Sequence, residues 1–177
     1  MDQFELIRIE HERLEEERLK NLFYRSAIYG DLNDLIEAIE TKAELLPNFD
    51  YINHLISYYQ EWKADEYLWC LEYAIENGFT YDATIFSCFG EDKCQSIDIF
   101  ECLIRNYKQD QKRLILAFNC INQPMLDWFG SILEDGKIDL SNEKSIWKSF
   151  LTDLYHSTTK INSSFKEQIR KALSINL

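Results

Sequence analysis

The sequence predicts an all-α fold: a single-domain stack of antiparallel helix pairs, an α-solenoid closed at its ends by capping helices. Three observations lead there: few chain breakers, apolar stripes at three- and four-residue steps, and an internal repeat. The chain of 177 residues holds 5 Gly and 2 Pro, far below the roughly 12 % of the two in average usage. Sheets with many tight turns and Gly-rich phosphate loops are disfavoured by that shortage. The apolar fraction is 46 %, with 11 Phe, 10 Tyr and 4 Trp, so a core is within reach. A domain of this size buries roughly 70 % of the surface its unfolded chain exposes.

The chain opens on a stripe of Phe4, Ile7, His11, Leu14 and Leu22, interrupted at Arg18. Glu10, Glu12, Arg13, Glu15, Glu16 and Glu17 fill the other face, with Glu16 and Lys20 at i,i+4. That pattern predicts a capping helix over residues 1–21. Residues 22–140 carry the repeat. Leu71-Glu72-Tyr73-Ala74-Ile75, Phe100-Glu101-Cys102-Leu103-Ile104 and Phe129-Gly130-Ser131-Ile132-Leu133 follow one another at intervals of 29 residues. Leu68, Ile97 and Leu126 correspond upstream, as do Cys70, Ile99 and Trp128. Counted from Leu68 and its equivalents, the apolar offsets 0, 3, 6 and 7 make one buried helical face per copy.

A shorter helix repeats at the same interval through Ile56, Ile85 and Leu114, followed by Tyr59, Cys88 and Ala117. Asp82 and Ser96 are placed to cap helices, and Pro124 suits a first helical turn. A looser copy, Leu35-Ile36-Glu37-Ala38-Ile39-Glu40, follows Gly30-Asp31 as stop and cap, with an insertion before the next copy. Two helices recurring at a fixed period signify stacked units that bury their apolar faces on one another. Residues 141–177 read as C-terminal capping helices. Ser141 caps one through Ile146, Trp147, Phe150, Leu151 and Leu154; His156 to Ser164 is a loop; Ser164-Phe165-Lys166-Glu167 is a capping box for the last.

Gly30-Asp31-Leu32-Asn33-Asp34-Leu35-Ile36-Glu37-Ala38-Ile39 and the stretch Asn122 to Leu140 resemble the second-helix segment of an ankyrin repeat. The resemblance spans roughly residues 22–140 and implies a non-enzymatic protein-binding scaffold. The family's first-helix motif, Thr-Pro-Leu-His-x-Ala, survives only at its Leu-like and Ala-like positions, in Ala83 to Cys88 and Lys112 to Ala117. The period is also shorter than the family's roughly 33 residues.

The formal charge is −12. Residues 1–110 carry 24 acids against 10 bases, and residues 111–177 carry 7 against 9. An acidic body repels phosphate backbones and anionic lipid, which speaks against nucleic acid and membrane as direct partners. It attracts a basic protein instead. Cys70, Cys88, Cys94, Cys102 and Cys120 are an odd set among mostly apolar neighbours, expected to be reduced and buried in a cytoplasmic monomer. No apolar run approaches the roughly 18 residues of a membrane span.

Chemistry is scarce. His11, His54 and His156 form no His-x-x-x-His or Glu-x-x-His pair, and no Cys-x-x-Cys exists. No metal, cofactor or catalytic residue is expected; a Cys–His pair that meets only in space is the enzyme-class rival. The segment Tyr58 to Trp69 mixes aromatics with acids where the repeat spacing lengthens. Glu61, Trp62, Asp65, Glu66 and Tyr67 are the candidate partner-binding residues, with Glu91 and Asp92 extending the acidic rim; Trp69 and Tyr59 are expected in the core. The leading expectation is a small acidic inhibitor, an immunity or antitoxin-like protein neutralising a basic toxin such as a nuclease. The alternative is an ankyrin-like scaffold or host-interaction protein that binds through a hydrophobic groove.

Overall fold

In the structure, a computed structural model describing residues 2–42, 50–107, 111–120, 123–142, 144–157 and 163–175, the ordered elements are helices. Among the described residues no strand forms; one isolated bridge joins Phe89 and Cys94. The all-α expectation holds. The chain divides into two compact units, Met1–Tyr81 and Asp82–Leu177, a boundary that falls inside the 22–140 repeat region.

The first unit holds α1 (Gln3–Tyr29), α2 (Leu32–Lys42), α3 (Tyr51–Ser57), a 3-10 turn (Glu61–Lys63) and α4 (Ala64–Glu76). Helix α1 ends because Gly30 turns left-handed at φ 62° and donates its N–H to the Ser26 carbonyl. Asp31 then starts α2, its Oδ1 accepting from the N–H groups of Asn33 and Asp34 at 3.0 and 3.1 Å. The expected stop-and-cap pair is in place. The predicted capping helix is not a separate piece: α1 runs unbroken through Tyr29, so the division at residue 21 lies inside it. Its predicted apolar stripe is also in solvent. Phe4, Ile7, His11 and Leu14 are exposed, Phe4 at 80 %, and burial starts only at Leu19, Phe23, Ser26 and Ala27. The reason is length: α2, attached at Gly30, spans roughly 16 Å against roughly 40 Å for α1 at 1.5 Å per residue. Helix α2 therefore lines only the later half of α1, and Arg18 ties the two together by reaching Glu37 at 2.7 Å.

Behind that half, Phe23, Tyr51 and Phe79 pack with ring centroids 4.6 to 5.9 Å apart. The Ser26 hydroxyl donates to the Phe23 carbonyl at 2.7 Å and lies 3.2 Å from the Tyr51 hydroxyl. Residues 43–49, between α2 and α3, lie outside the described residues.

The second unit holds a 3-10 turn (Ala83–Cys88), α5 (Ile97–Arg105), α6 (Gln111–Cys120), α7 (Gln123–Glu134), α8 (Ile146–His156) and α9 (Ser163–Ile175). Its core is aromatic: Phe86, Phe89, Phe100, Phe118, Phe129 and Phe150 are all buried. Phe100 stacks on Trp147 at 5.8 Å and meets Phe89 edge-on at 4.8 Å. Helices α7 and α9 approach closely enough that a Cβ on Gly130 would stand 2.1 Å from Gln168 Oε1.

The 29-residue period is a period of burial at offsets 3, 6 and 7, whereas at offset 0 Leu68 and Ile97 are half-buried and only Leu126 is buried. Leu71, Phe100 and Phe129 are buried on α4, α5 and α7, as are Ala74, Leu103 and Ile132, and Ile75, Ile104 and Leu133. The ends repeat too. The N–H of Phe79 reaches the Ala74 carbonyl and that of Lys137 reaches the Ile132 carbonyl, across Gly78 and Gly136 with positive φ. Of the shorter series, Ile56, Ile85 and Leu114 are buried. Tyr59 and Cys88 are half-buried, and the side chain of Ala117 lies outside the described ones. Its middle member is a 3-10 turn, capped by Asp82 accepting from Thr84 N–H at 2.9 Å. Ser96 caps α5 as expected. Ser141 does not cap α8. That helix begins later, with Ser145 accepting from Trp147 N–H, while Ser141 is held in a turn by Asp139. Ser164 lies within α9, which starts at Ser163; the loop before it falls mostly in residues 158–162, outside the described residues.

Candidate functional site

Helix α4 shows two unlike faces. Inward lie Tyr67, Cys70, Leu71, Ala74 and Ile75, all buried. Outward, at steps of four, three and four, lie Asp65, Trp69, Glu72 and Glu76, all exposed. Just upstream, Trp62 stands 77 % exposed on the 3-10 turn, with Lys63 Nζ 5.3 Å from its ring centroid. Lys63 also donates to the Tyr29 carbonyl at 2.8 Å, bringing the end of α1 to the same turn. Tyr29 and Tyr58 are exposed as well.

Of the predicted contact residues, Glu61, Trp62 and Asp65 are exposed and Glu66 is half-buried. Tyr67 is a correction. It is fully buried, and its hydroxyl serves the carbonyls of Ile28 at 2.6 Å and Tyr58 at 2.8 Å. Without that hydroxyl the two helix-end carbonyls would lose a donor in a partly buried place, so Tyr67 ties the ends of α1 and α3 together from below. Trp69 is the opposite correction: expected in the core, it is 51 % exposed. Position decides this, because two residues before Leu71 the α-helix has turned through slightly more than a half-circle. Glu72, Glu76, Tyr29 and Tyr58 were not among the candidates. Counting four and seven residues on from Asp65 reaches Trp69 and Glu72, so helical spacing carried part of that signal.

Glu91 and Asp92 belong to the second unit, exposed in a tight loop closed by Gly90 N–H to the Cys94 carbonyl at 3.2 Å. Lys93 follows them and folds back onto the Ser87 carbonyl at 2.8 Å. The unit boundary also relocates the charge. Residues 1–81 hold 18 acids against 7 bases, a net of −11, while residues 82–177 hold 13 against 12, a net of −1. The acidity is a property of the unit that carries the tryptophan face.

Burial pushes the thiols of Cys70 and Cys94 up to about 12, so both stay protonated at neutral pH. Cys102 is buried and Cys88 half-buried; the side chain of Cys120 lies outside the described ones. His54 Nδ1 sits 2.8 Å from the Asp50 carbonyl and the ring meets Tyr24 edge-on at 6.1 Å. His11 and His156 are exposed. Desolvation and the neighbouring Asp31 raise the Asp34 carboxyl, against Arg25, whose Nε is 3.8 Å away. Among the described residues no three His, Cys, Asp or Glu side chains gather as metal ligands, and no helix is long and apolar enough to cross a membrane. Comparison with protein-family models, curated proteins and solved structures gave no match.

Proposed function

We propose that this chain is a non-catalytic protein-binding module, a small acidic inhibitor of the immunity or antitoxin type that neutralises a basic partner such as a nuclease toxin. The observation that carries the reading is the outward face of α4, where Trp69 lies between Asp65 and Glu72 with Trp62 just upstream, in a unit of net charge −11. Tryptophan supplies contact area with few rotors to freeze, and flanking carboxylates pair with Lys and Arg on the partner. A nuclease cleft must attract phosphate, so its basic surface complements a row of carboxylates. Titration of the chain with cationic nuclease domains by calorimetry, at roughly 50 and 300 mM salt, tests this. Affinity is expected to fall by about tenfold or more across that range and to fall again with Trp69→Ala. Tight binding that ignores both salt and the substitution rejects the reading.

A second reading has its own observation. Phe4, Leu6, Ile7, Ile9 and Leu14 are exposed along the N-terminal half of α1. An ankyrin-like scaffold or host-interaction protein would bind through such apolar surface, with little response to salt. Binding lost on changing Ile7 and Leu14 to Ser, but kept in Trp69→Ala, favours it over the inhibitor.

A further inference from the structure

A cavity of about 280 Å³ opens between α5, α6 and α8 of the second unit. That is just under the roughly 300–1,000 Å³ of small-molecule sites. Its floor is apolar, formed by Ile104, Leu114, Ile146 and Phe150. Its remaining lining residues are Arg105, Tyr107 and Ser149. Each of these three can donate a hydrogen bond, and Arg105 is the only charged group among the lining residues.

The charged groups around the mouth are of both signs. Glu101 engages Arg105 through Nη2 at 2.8 Å, which steadies the guanidinium while its planar fork offers further N–H donors. Arg113 of α6 and Asp82 both lie near enough to Tyr107 to act on it, with opposite signs. Ile146 and Ser149 belong to the first turn of α8, whose N-terminal end favours negative charge; its cap, Ser145, accepts from Trp147 N–H at 3.3 Å. The Arg105 fork, the Ser149 hydroxyl and the helix N-terminus, around an apolar floor, suit an acceptor with a hydrocarbon body.

We infer that this cavity is a binding site for a small amphipathic carboxylate, its head group toward Arg105 and Ser149 and its chain over Leu114 and Phe150. The site is independent of the tryptophan face and of the inhibitor reading.

Octanoate is the probe, followed by amide chemical-shift mapping on the whole chain, with octanol and octylamine as matched ligands of other charge. Octanoate is expected to give saturable shifts confined to residues 104–107, 114 and 146–150, and to bind at least about tenfold more tightly than either analogue. Arg105→Gln should weaken octanoate by about tenfold while leaving octanol unchanged. Ser149→Trp, at an exposed position, should fill the mouth and abolish binding with the far-ultraviolet spectrum intact. The ligand comparison needs no variant, so a poorly folding substitution does not shield the proposal. Absence of saturable shifts up to roughly 5 mM overturns it. So do shifts scattered over the surface, equal binding of the amine or alcohol, or binding that survives both substitutions.

Discussion

Gly30 and Tyr67 meet at the point where α1 turns into α2. Gly30 sits at φ 62°, and a Cβ there would lie 2.9 Å from Tyr67 Cδ2. Gly30→Ala combines left-handed backbone strain, about 1 kcal/mol, with displacement of a ring that holds two helix ends. A loss of about 2 kcal/mol is expected, read as a lower urea midpoint. Tyr67→Phe keeps the ring but strips the carbonyls of Ile28 and Tyr58 of their donor, for about 1–2 kcal/mol. The buried thiols make a pH prediction. In the fold Cys70 and Cys94 stay protonated up to about 12, whereas unfolded thiols ionise from about 8.5. Above that lower value the unfolded chain binds fewer protons, so stability falls as pH rises from about 8.5 towards 12 and is unaffected below. Denaturant midpoints at pH 7.5 and 10 check the sign; a double Cys70→Ala, Cys94→Ala variant should show a shallower decline.

Helix α4 separates stability from binding within thirteen residues. Leu71→Ala deletes a fully buried side chain and should cost about 2–5 kcal/mol. Trp69→Ala, two residues earlier on the exposed face, should change stability by less than about 0.5 kcal/mol yet cost a partner complex about 2 kcal/mol or more. Thermal melts of both variants beside binding curves distinguish the faces; a large melting shift for Trp69→Ala would mean its ring is structural. Helix α1 makes a comparable claim. Residues 2–14 are all exposed, so their removal should leave the melting temperature within a few degrees of the full chain. The same elements show what a sequence discloses. Gly30-Asp31, Ser96 and Asp82 were readable because caps and stops are local chemistry, decided by one side chain and its nearest N–H groups. The series Leu71, Phe100 and Phe129 was readable because it recurs. The α1 stripe was legible as a helix but not as an exposed one, since burial depends on how far α2 reaches along it. Trp69 and Tyr67 exchanged places for a related reason: aromatic content alone says nothing about which side of a helix faces the core. The cavity near Arg105 had no signal, because its walls come from three helices separated in the chain.

At the scale of the molecule, the charge divides with the fold. A net of −11 in residues 1–81 and −1 in residues 82–177 means that long-range attraction of a basic partner originates almost wholly in the first unit. That unit has its own core in Phe23, Tyr51, Leu55 and Leu71, and the second has its own in Phe86, Phe100 and Phe129. Each should therefore fold when expressed alone, with a cooperative melt and a helical far-ultraviolet spectrum. The consequences for binding then separate cleanly. Residues 1–81 alone should keep the affinity of the full chain for a cationic nuclease domain, and the steepness of its salt dependence, because both the carboxylates and the two exposed tryptophans come with it. Residues 82–177 alone should bind such a domain weakly and take up octanoate as the full chain does. A folded first unit that loses most of the affinity would place the decisive contacts on the second unit, where Glu91 and Asp92 are the acids to test next. Reversal of the two outcomes, with octanoate following residues 1–81, would refute the cavity assignment in the same experiment.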